Sequence, residues 1–319
     1  MNENLDKENI VEEKEKAVVT QAKAQTTASQ ASSKEEEEKK EFFSLGVRRF
    51  IAYVVLIFFT VIALFSFYML LINATRAHAD IQKGFSLLPG KSFVVNMKSV
   101  LNNKTILIVN GLVNSVIVSG FTALLSVYFS AMTAYAIHVY DFKLKNAAFN
   151  FILVIMTIPT QVSALGFVEL ITKMKLKDSF IPLIVPAVAA PAVFFFMKQY
   201  MESALPLEIV EAARIDGSNE FNTFNKVVMP IMKPALAVQA IFSFVTSWNN
   251  YFTPSLVLTK AEKKTLPLWI AYLRSADFTK FDMGQLYMMI AFSIFPVVIV
   301  YLILSKYIVQ GVALGSVKG

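Results

Sequence analysis

Glu208-Ile209-Val210-Glu211-Ala212-Ala213-Arg214-Ile215-Asp216-Gly217, followed downstream by Val228-Met229-Pro230, is a polar stretch set between two long hydrophobic segments. Most short loops between membrane spans carry no ordered helix, but this one holds the signals for one. Pro206 suits a first helical turn, and Gly217 suits an exit in the left-handed conformation. Between them Ile209, Ala212, Ala213 and Ile215 offer a small apolar face, while Glu208, Glu211 and Arg214 stay polar. The spacing predicts a short amphipathic helix. It is either an ordinary surface helix or one shaped to dock against another protein.

The surroundings of this loop decide the fold class. Of the 319 residues 55% are hydrophobic and 17% charged, with a mean hydropathy of +0.55, against about 45–50% apolar and about 25% charged in a soluble domain. Six segments are apolar over about 20 residues or more, enough to cross a bilayer core of about 30 Å. They cover approximately residues 47–73, 105–138, 147–172, 180–200, 227–258 and 284–307, leaving the polar loop at 201–226. The expectation is an all-α membrane protein with six transmembrane helices. Pro159, Pro182, Pro186 and Pro191 lie in or beside the third and fourth segments. Each frees a backbone carbonyl that a neighbouring helix or water must satisfy, so kinks are expected there.

Charge is unevenly spread. Residues 1–41 hold seven lysines against eleven acidic groups, and the rest of the chain carries a net charge of about +11. With so few bulky apolar residues, residues 1–44 read as a disordered charged tail ahead of a membrane domain at 45–319. The first hydrophobic run starts near Val47, so it reads as an uncleaved first span rather than a signal peptide. An even number of spans places both termini and the polar loop on one side. Arg48, Arg49, Lys143, Lys145, Lys198, Arg214, Lys226 and Lys233 favour that side as cytoplasmic. Against them stand Arg76, Lys83, Lys91, Lys98, Lys104, Lys173, Lys175, Lys177, Lys260, Lys263 and Lys264 in the opposite loops. The positive-inside rule therefore does not decide.

Several chemistries are excluded. There is no cysteine, and the two histidines, His78 and His138, lack metal-ligand spacing. No Gly-rich phosphate loop, nucleophile elbow or His-Glu-x-x-His stretch occurs, so no catalytic residue, metal site or bound cofactor is expected. Basic and aromatic residues do not combine on a soluble module, which argues against nucleic acid; membrane lipid is the expected surrounding.

The pattern Glu211, Ala212, Ala213, Asp216, Gly217, with Met229-Pro230 in place of a Leu-Pro pair, resembles the EAA motif of ATP-binding cassette (ABC) importer permeases. Trp248-Asn249 is similar to a pair found in carbohydrate-importer permeases. The tail from Lys306-Tyr307-Ile308-Val309-Gln310-Gly311 to Gly315-Ser316-Val317-Lys318-Gly319 looks like the end of that subfamily. The resemblance covers roughly residues 45–319 and is strongest to the second permease of the maltose-type group, with its MetI-like fold. It implies that Glu211, Ala212, Ala213, Arg214, Asp216 and Gly217 form a coupling helix seated on a separate ATPase. Ala212 and Ala213 would allow close approach, Gly217 a sharp exit, and Glu211 and Asp216 would fix the loop by hydrogen bonds. It further implies a second homologous permease with the first span lying across it, two ATPase subunits or a homodimer carrying ATP and Mg, and an extracytoplasmic sugar-binding protein. Location in a bacterial cell membrane with both termini cytoplasmic follows from the same resemblance.

The spans carry few charges but several amides and hydroxyls. Asn114, Gln161, Trp248, Asn249 and Asn250 are the candidates for a translocation path, in which amides bond hydroxyls and aromatic faces stack on sugar rings. Interhelical hydrogen bonding is the plainer role for each. The reading is a permease subunit of an ATP-driven importer of sugars or oligosaccharides. The alternatives are an ABC permease for another cargo, an ion-coupled secondary transporter, or a scaffold that transports nothing.

Overall fold

The computed structural model describes residues 46–275 and 282–315. The charged tail expected over 1–44 and the last residues of the C-terminal signature, Ser316 to Gly319, lie outside them. The described residues are helical with no strand. In order they form α1 (Gly46–Ala74), α2 (His78–Gln82), α3 (Phe93–Leu101), α4 (Ile108–Val139), α5 (Lys145–Ile155), α6 (Thr160–Lys173) and α7 (Ile181–Ile184). A 3-10 turn, Val185–Val188, precedes α8 (Pro191–Ala204) and α9 (Leu207–Ile215). Then come α10 (Glu220–Asn222), a π-helical turn (Thr223–Val228), α11 (Met229–Ile231), α12 (Lys233–Trp248), α13 (Phe252–Val257), α14 (Leu266–Ser275) and α15 (Met283–Gly315).

Four helical segments are long and apolar enough to cross a membrane: Gly46–Ala74, Ile108–Val139, Ile181–Ala204 and Met283–Tyr307. Two further pairs reach that length only together. Lys145–Ile155 meets Thr160–Lys173 at 94°, and Glu220–Ile231 meets Lys233–Trp248 at 83°, so six spans result if each pair is one. The segments expected at 147–172 and 227–258 are therefore not single straight helices. Pro159 ends the first run, because it offers no N–H and drives the residue before it out of the α region. Pro230 and Pro234 flank the second break at Met232. The expected fifth segment also stops early, at Trp248, with α13 set off beyond it.

The described residues divide into two compact units, one ending at Tyr68 and the other starting at Met69. In the first, every α1 residue from Gly46 to Tyr68 is exposed. In the second, α4 is the axis and packs chiefly on α12 and α8. Its buried positions include Gly111, Ser115, Ser119, Ala123, Ser126, Ser130 and Ala134, small residues at three- and four-residue spacing that let neighbouring backbones come close. Around its C-terminal half, Tyr135 joins Met197, Met201, Val210, Phe224 and Met232 in one core. Around its N-terminal half, Trp248, Trp269 and Met289 anchor another. A third, smaller core gathers Ile171, Val257, Leu258 and Leu268.

The end of the molecule near the α4 N-terminus is knotted by a buried arginine. Arg76 donates to the Asn73 side chain at 3.2 Å, to the Gly84 carbonyl at 3.0 Å and to the Asp80 carbonyl. Asn96 of α3 donates to the Ala74 and Arg76 carbonyls at 2.8 and 2.9 Å. Gly284 closes this knot from α15: a Cβ there would stand 2.7 Å from the Arg76 carbonyl oxygen and 2.7 Å from the Asn96 amide. Gly284→Ala is expected to force these groups apart and destabilise the fold by about 1–3 kcal/mol, read as a lower unfolding temperature of the detergent-solubilised protein. Unchanged thermal unfolding would show that the knot gives way freely.

Candidate functional site

Two places can carry chemistry or contact: the polar loop around α9 and a cavity behind the break between α5 and α6. The loop is built locally. Pro206 is extended (φ −60°, ψ 138°) and opens α9. At the other end Gly217 takes φ +80°. Its N–H donates to the Arg214 carbonyl at 3.0 Å, while the Ser218 N–H reaches back to the Ala213 carbonyl at 3.0 Å. That pair of bonds is the Schellman arrangement, which satisfies carbonyls a helix end would leave open. Val210 is fully buried and fixes the inner face of α9, whereas Ile215 is 86% exposed. Of the residues expected to dock an ATPase, Glu211, Ala212, Asp216 and Gly217 are exposed, and Ala213 and Arg214 are half-buried.

The loop is held by contacts that the sequence reading did not foresee, and by two residues it did not name, Glu220 and Tyr135. Arg214 Nε meets Glu220 Oε1 at 2.7 Å. Glu220 Oε2 accepts the Tyr135 hydroxyl of α4 at 2.8 Å. The Arg214 guanidinium also lies over the Tyr140 ring, 5.5 Å from its centre. His138 Nε2 donates to the Leu205 carbonyl at 3.1 Å, and the Thr223 hydroxyl to that of Ser218 at 2.9 Å. Hydrogen bonds from Arg214, then Tyr140, hold the Glu220 carboxyl down at about 2. The group is thus charged whenever the protein is near neutral pH. The anchoring role foreseen for Glu211 and Asp216 falls, among the described residues, to Arg214 and Glu220. The signal lay 85 residues away in the chain, at Tyr135.

The cavity measures about 620 Å³ and lies among the α5–α6 break, the α7 region and the α12–α13 junction. Its polar lining comes from Thr160, Ser163, Ser247, Asn250 and Thr253, and its lining includes the Phe167 and Phe252 side chains. No lining residue is charged. Of the five path candidates the structure brings Asn250 into this cavity. Asn249 is exposed beside it, and Gln161 is exposed next to the lining Thr160. Trp248 is a core residue, 3% exposed and stacked on Phe244 with ring centres 5.6 Å apart. Asn114 ties down a loop, donating to the Glu262 and Lys264 carbonyls at 2.8 and 3.0 Å. Thr160, Ser163 and Thr253 went unread; their only marks in the sequence are the neighbouring breakers Pro159 and Pro254.

Helices long and apolar enough to span, two bent pairs and buried polar contacts between them mark a multi-pass helical membrane protein. The chain belongs to the family of binding-protein-dependent transport system inner membrane components, which matches residues 127–314. It is 37% identical over 206 residues, 65% of this chain and 72% of the relative, to the arabinooligosaccharides transport system permease protein AraQ of Bacillus subtilis (strain 168). It is 29% identical over 258 residues, 79% of this chain and 91% of the relative, to the melibiose/raffinose/stachyose import permease protein MelC of the same organism. Its fold matches that of a chain in the crystal structure of a bacterial ABC transporter involved in the import of the acidic polysaccharide alginate. The TM-score is 0.70 at 23% identity, covering 82% of this chain and 96% of that one.

Proposed function

We propose that the chain is a non-catalytic subunit of an ATP-driven importer of neutral sugars or oligosaccharides, forming part of the path and relaying ATPase motion through α9. The observation that carries the reading is the family match over residues 127–314, a stretch that includes α9, the π-helical turn and α12. The relatives named for oligosaccharide transport and import support the cargo class. The uncharged cavity with its hydroxyls, amide and aromatic rings supports a cargo that is itself uncharged and rich in hydroxyls. A phosphorylated or otherwise anionic cargo would call for a cation in that lining, and none is present.

In this reading ATP and Mg belong to two partner ATPase subunits or a homodimer, and a second homologous permease completes the path. The exposed α1 face from Gly46 to Tyr68 suits a first span that packs on that second permease. Closure of the ATPases draws α9 and its counterpart together and tilts the spans from inward-open to outward-open; hydrolysis resets them. Both termini and α9 then face the cytoplasm. The test is to purify the chain in mild detergent from its native host and identify its companions by mass spectrometry. A related permease, an ATPase with a phosphate-binding loop and a sugar-binding protein are expected, and the sugar-binding protein can be titrated with a panel of neutral oligosaccharides. Recovery of the chain alone, where other complexes survive, would favour an ion-coupled transporter or a scaffold.

A further inference from the structure

Five of the eleven basic residues that offset the positive-inside rule, Lys175, Lys177, Lys260, Lys263 and Lys264, lie on two loops that the fold joins. The loops are residues 174–180 after α6 and residues 258–265 between α13 and α14, at the end of the protein opposite α9. Asp178 sews them together. Its Oδ1 accepts the Thr259 and Lys260 N–H groups at 2.6 and 2.8 Å, and its Oδ2 accepts the Thr259 hydroxyl at 2.8 Å. Its own N–H donates to the Val257 carbonyl at 3.0 Å. From the other side Asn114 holds the Glu262 and Lys264 carbonyls, and the Ser115 hydroxyl accepts the Leu266 N–H at 2.9 Å.

The geometry is fixed by hydrogen bonds at each turn. Lys175 and Asp178 have φ of 58° and 60° and are the only non-glycine residues with positive φ among those described. At Lys175 this is the Schellman end of α6, its N–H donating to the Thr172 carbonyl at 3.1 Å and the Leu176 N–H to the Ile171 carbonyl at 2.9 Å. At Asp178, a residue type that enters the left-handed region readily, it accompanies the bonds the carboxylate accepts from Thr259 and Lys260. What the pinned loops present is charge. Lys175, Lys177, Lys260 and Lys263 are exposed, and none forms an ion pair among the described residues, whereas nearby Lys173 is paired with Glu169 at 2.6 Å. Lys263 lies over the Phe180 ring at 4.9 Å, which limits its freedom. The Asp178 carboxylate is consumed by the loop itself, leaving Glu262 as the one exposed acid on the two loops.

We propose that Lys175, Lys177, Lys260 and Lys263 form the docking surface for an acidic rim on the extracytoplasmic binding protein. The inference rests on the importer reading above and adds to it the place and the charge of the contact. A lipid headgroup would be served equally by lysines on a mobile segment, as polybasic stretches show. Loops pinned by Asp178 on one side and Asn114 on the other instead suit a partner with a fixed pattern of carboxylates. Charges at the rim of such a contact act chiefly on the association rate and its salt dependence.

The experiment uses the intact complex from the native host, in nanodiscs of phosphatidylcholine, with the binding protein recovered alongside it as the probe. Association is timed at about 50 mM and about 300 mM salt, where the Debye length falls from roughly 14 Å to roughly 6 Å. The wild type should associate about tenfold more slowly at the higher salt. The fourfold variant Lys175→Glu, Lys177→Glu, Lys260→Glu, Lys263→Glu should lose about tenfold or more at low salt and most of its salt dependence. The milder set of Lys→Gln changes should lie between, with ATPase recovery showing that both variants assemble. A binding protein that stimulates ATP hydrolysis but associates alike with all three, whatever the salt, would overturn the inference and leave the importer reading standing. A defect that appears only in phosphatidylglycerol vesicles would assign the lysines to lipid and overturn it too. If no binding protein is recovered or stimulates hydrolysis, the importer reading falls first and the inference with it.

Discussion

Ile215→Asp is expected to abolish ATP-driven uptake while the chain still inserts in the membrane. On the proposed role of α9, a partner must cover the outer face of that helix, where Ile215 is 86% exposed beside Glu211 and Ala212. Phe221, 69% exposed, extends the same loop's apolar surface. Seating one such side chain in a pocket contributes about 1.5–3 kcal/mol. Placing an unpaired carboxylate in that pocket would cost several kcal/mol more, so the ATPase would bind at least roughly 100-fold more weakly. The readout is the ATPase recovered per permease, together with uptake in whole cells. Gly217→Val and bulky replacements of Ala213 should instead keep the ATPase and uncouple it. At Gly217 nothing lies within 4 Å of an added Cβ, so only the left-handed backbone resists. Asn should therefore be tolerated there better than Val, since it enters that conformation more readily. Full uptake by well-expressed Ile215→Asp would remove α9 from the docking role.

The parts of this protein readable in the sequence are those set by local physics. Pro206 and Gly217 delimit α9 to within a residue because capping depends on neighbours in the chain. The apolar segments are legible because span length is fixed by the bilayer. Where they break is less so. Pro159 marks the 94° turn between α5 and α6, yet Pro296 sits inside α15 without ending it. A proline breaks a helix only where no neighbouring packing restores what its ring takes away. The inward and outward faces of α9 were likewise half legible: Val210, not Ile209, carries the buried contact, since the α4 core decides which side is covered.

Contacts between distant parts were not legible. Asn114, Trp248 and Gln161 share a polar or aromatic character that suits a translocation path, but composition cannot say whether a side chain meets a cavity or a neighbouring helix. The structure spends Asn114 on loop carbonyls and Trp248 on Phe244, and the cavity takes hydroxyls beside helix breaks instead. Asp178 is an unremarked acid among lysines until Thr259 and Lys260 are brought to it across more than 80 residues. The same limit hid Glu220, which lies close to α9 in sequence but whose second partner is in α4.

Glu220→Gln is expected to leave ATP hydrolysis running while uptake per ATP falls about tenfold. Glu220 is the one carboxylate among the described residues that grips both α9, through Arg214, and α4, through Tyr135. On the proposed role of α9, motion imposed on it would reach the long axis of the fold through that grip and through the core around Val210. Glutamine keeps the size, but its one acceptor oxygen cannot serve Arg214 and Tyr135 as two carboxylate oxygens do. Tyr135→Phe cuts only the α4 side and should lie between wild type and Glu220→Gln. Because the two changes act on one contact, the double variant should be little worse than Glu220→Gln alone. The pH behaviour adds a separate check. Glu220 is depressed from 4.5 to about 2 in the folded protein. Its stabilisation is therefore complete above about pH 4.5 and is lost only as pH falls towards about 2. Uptake per ATP should then be flat between about pH 5.5 and about pH 8 as far as this group is concerned. A wild-type ratio in Glu220→Gln would show that the core around Val210 transmits the motion unaided. Strictly additive losses in the double variant would show that Tyr135 and Glu220 act separately.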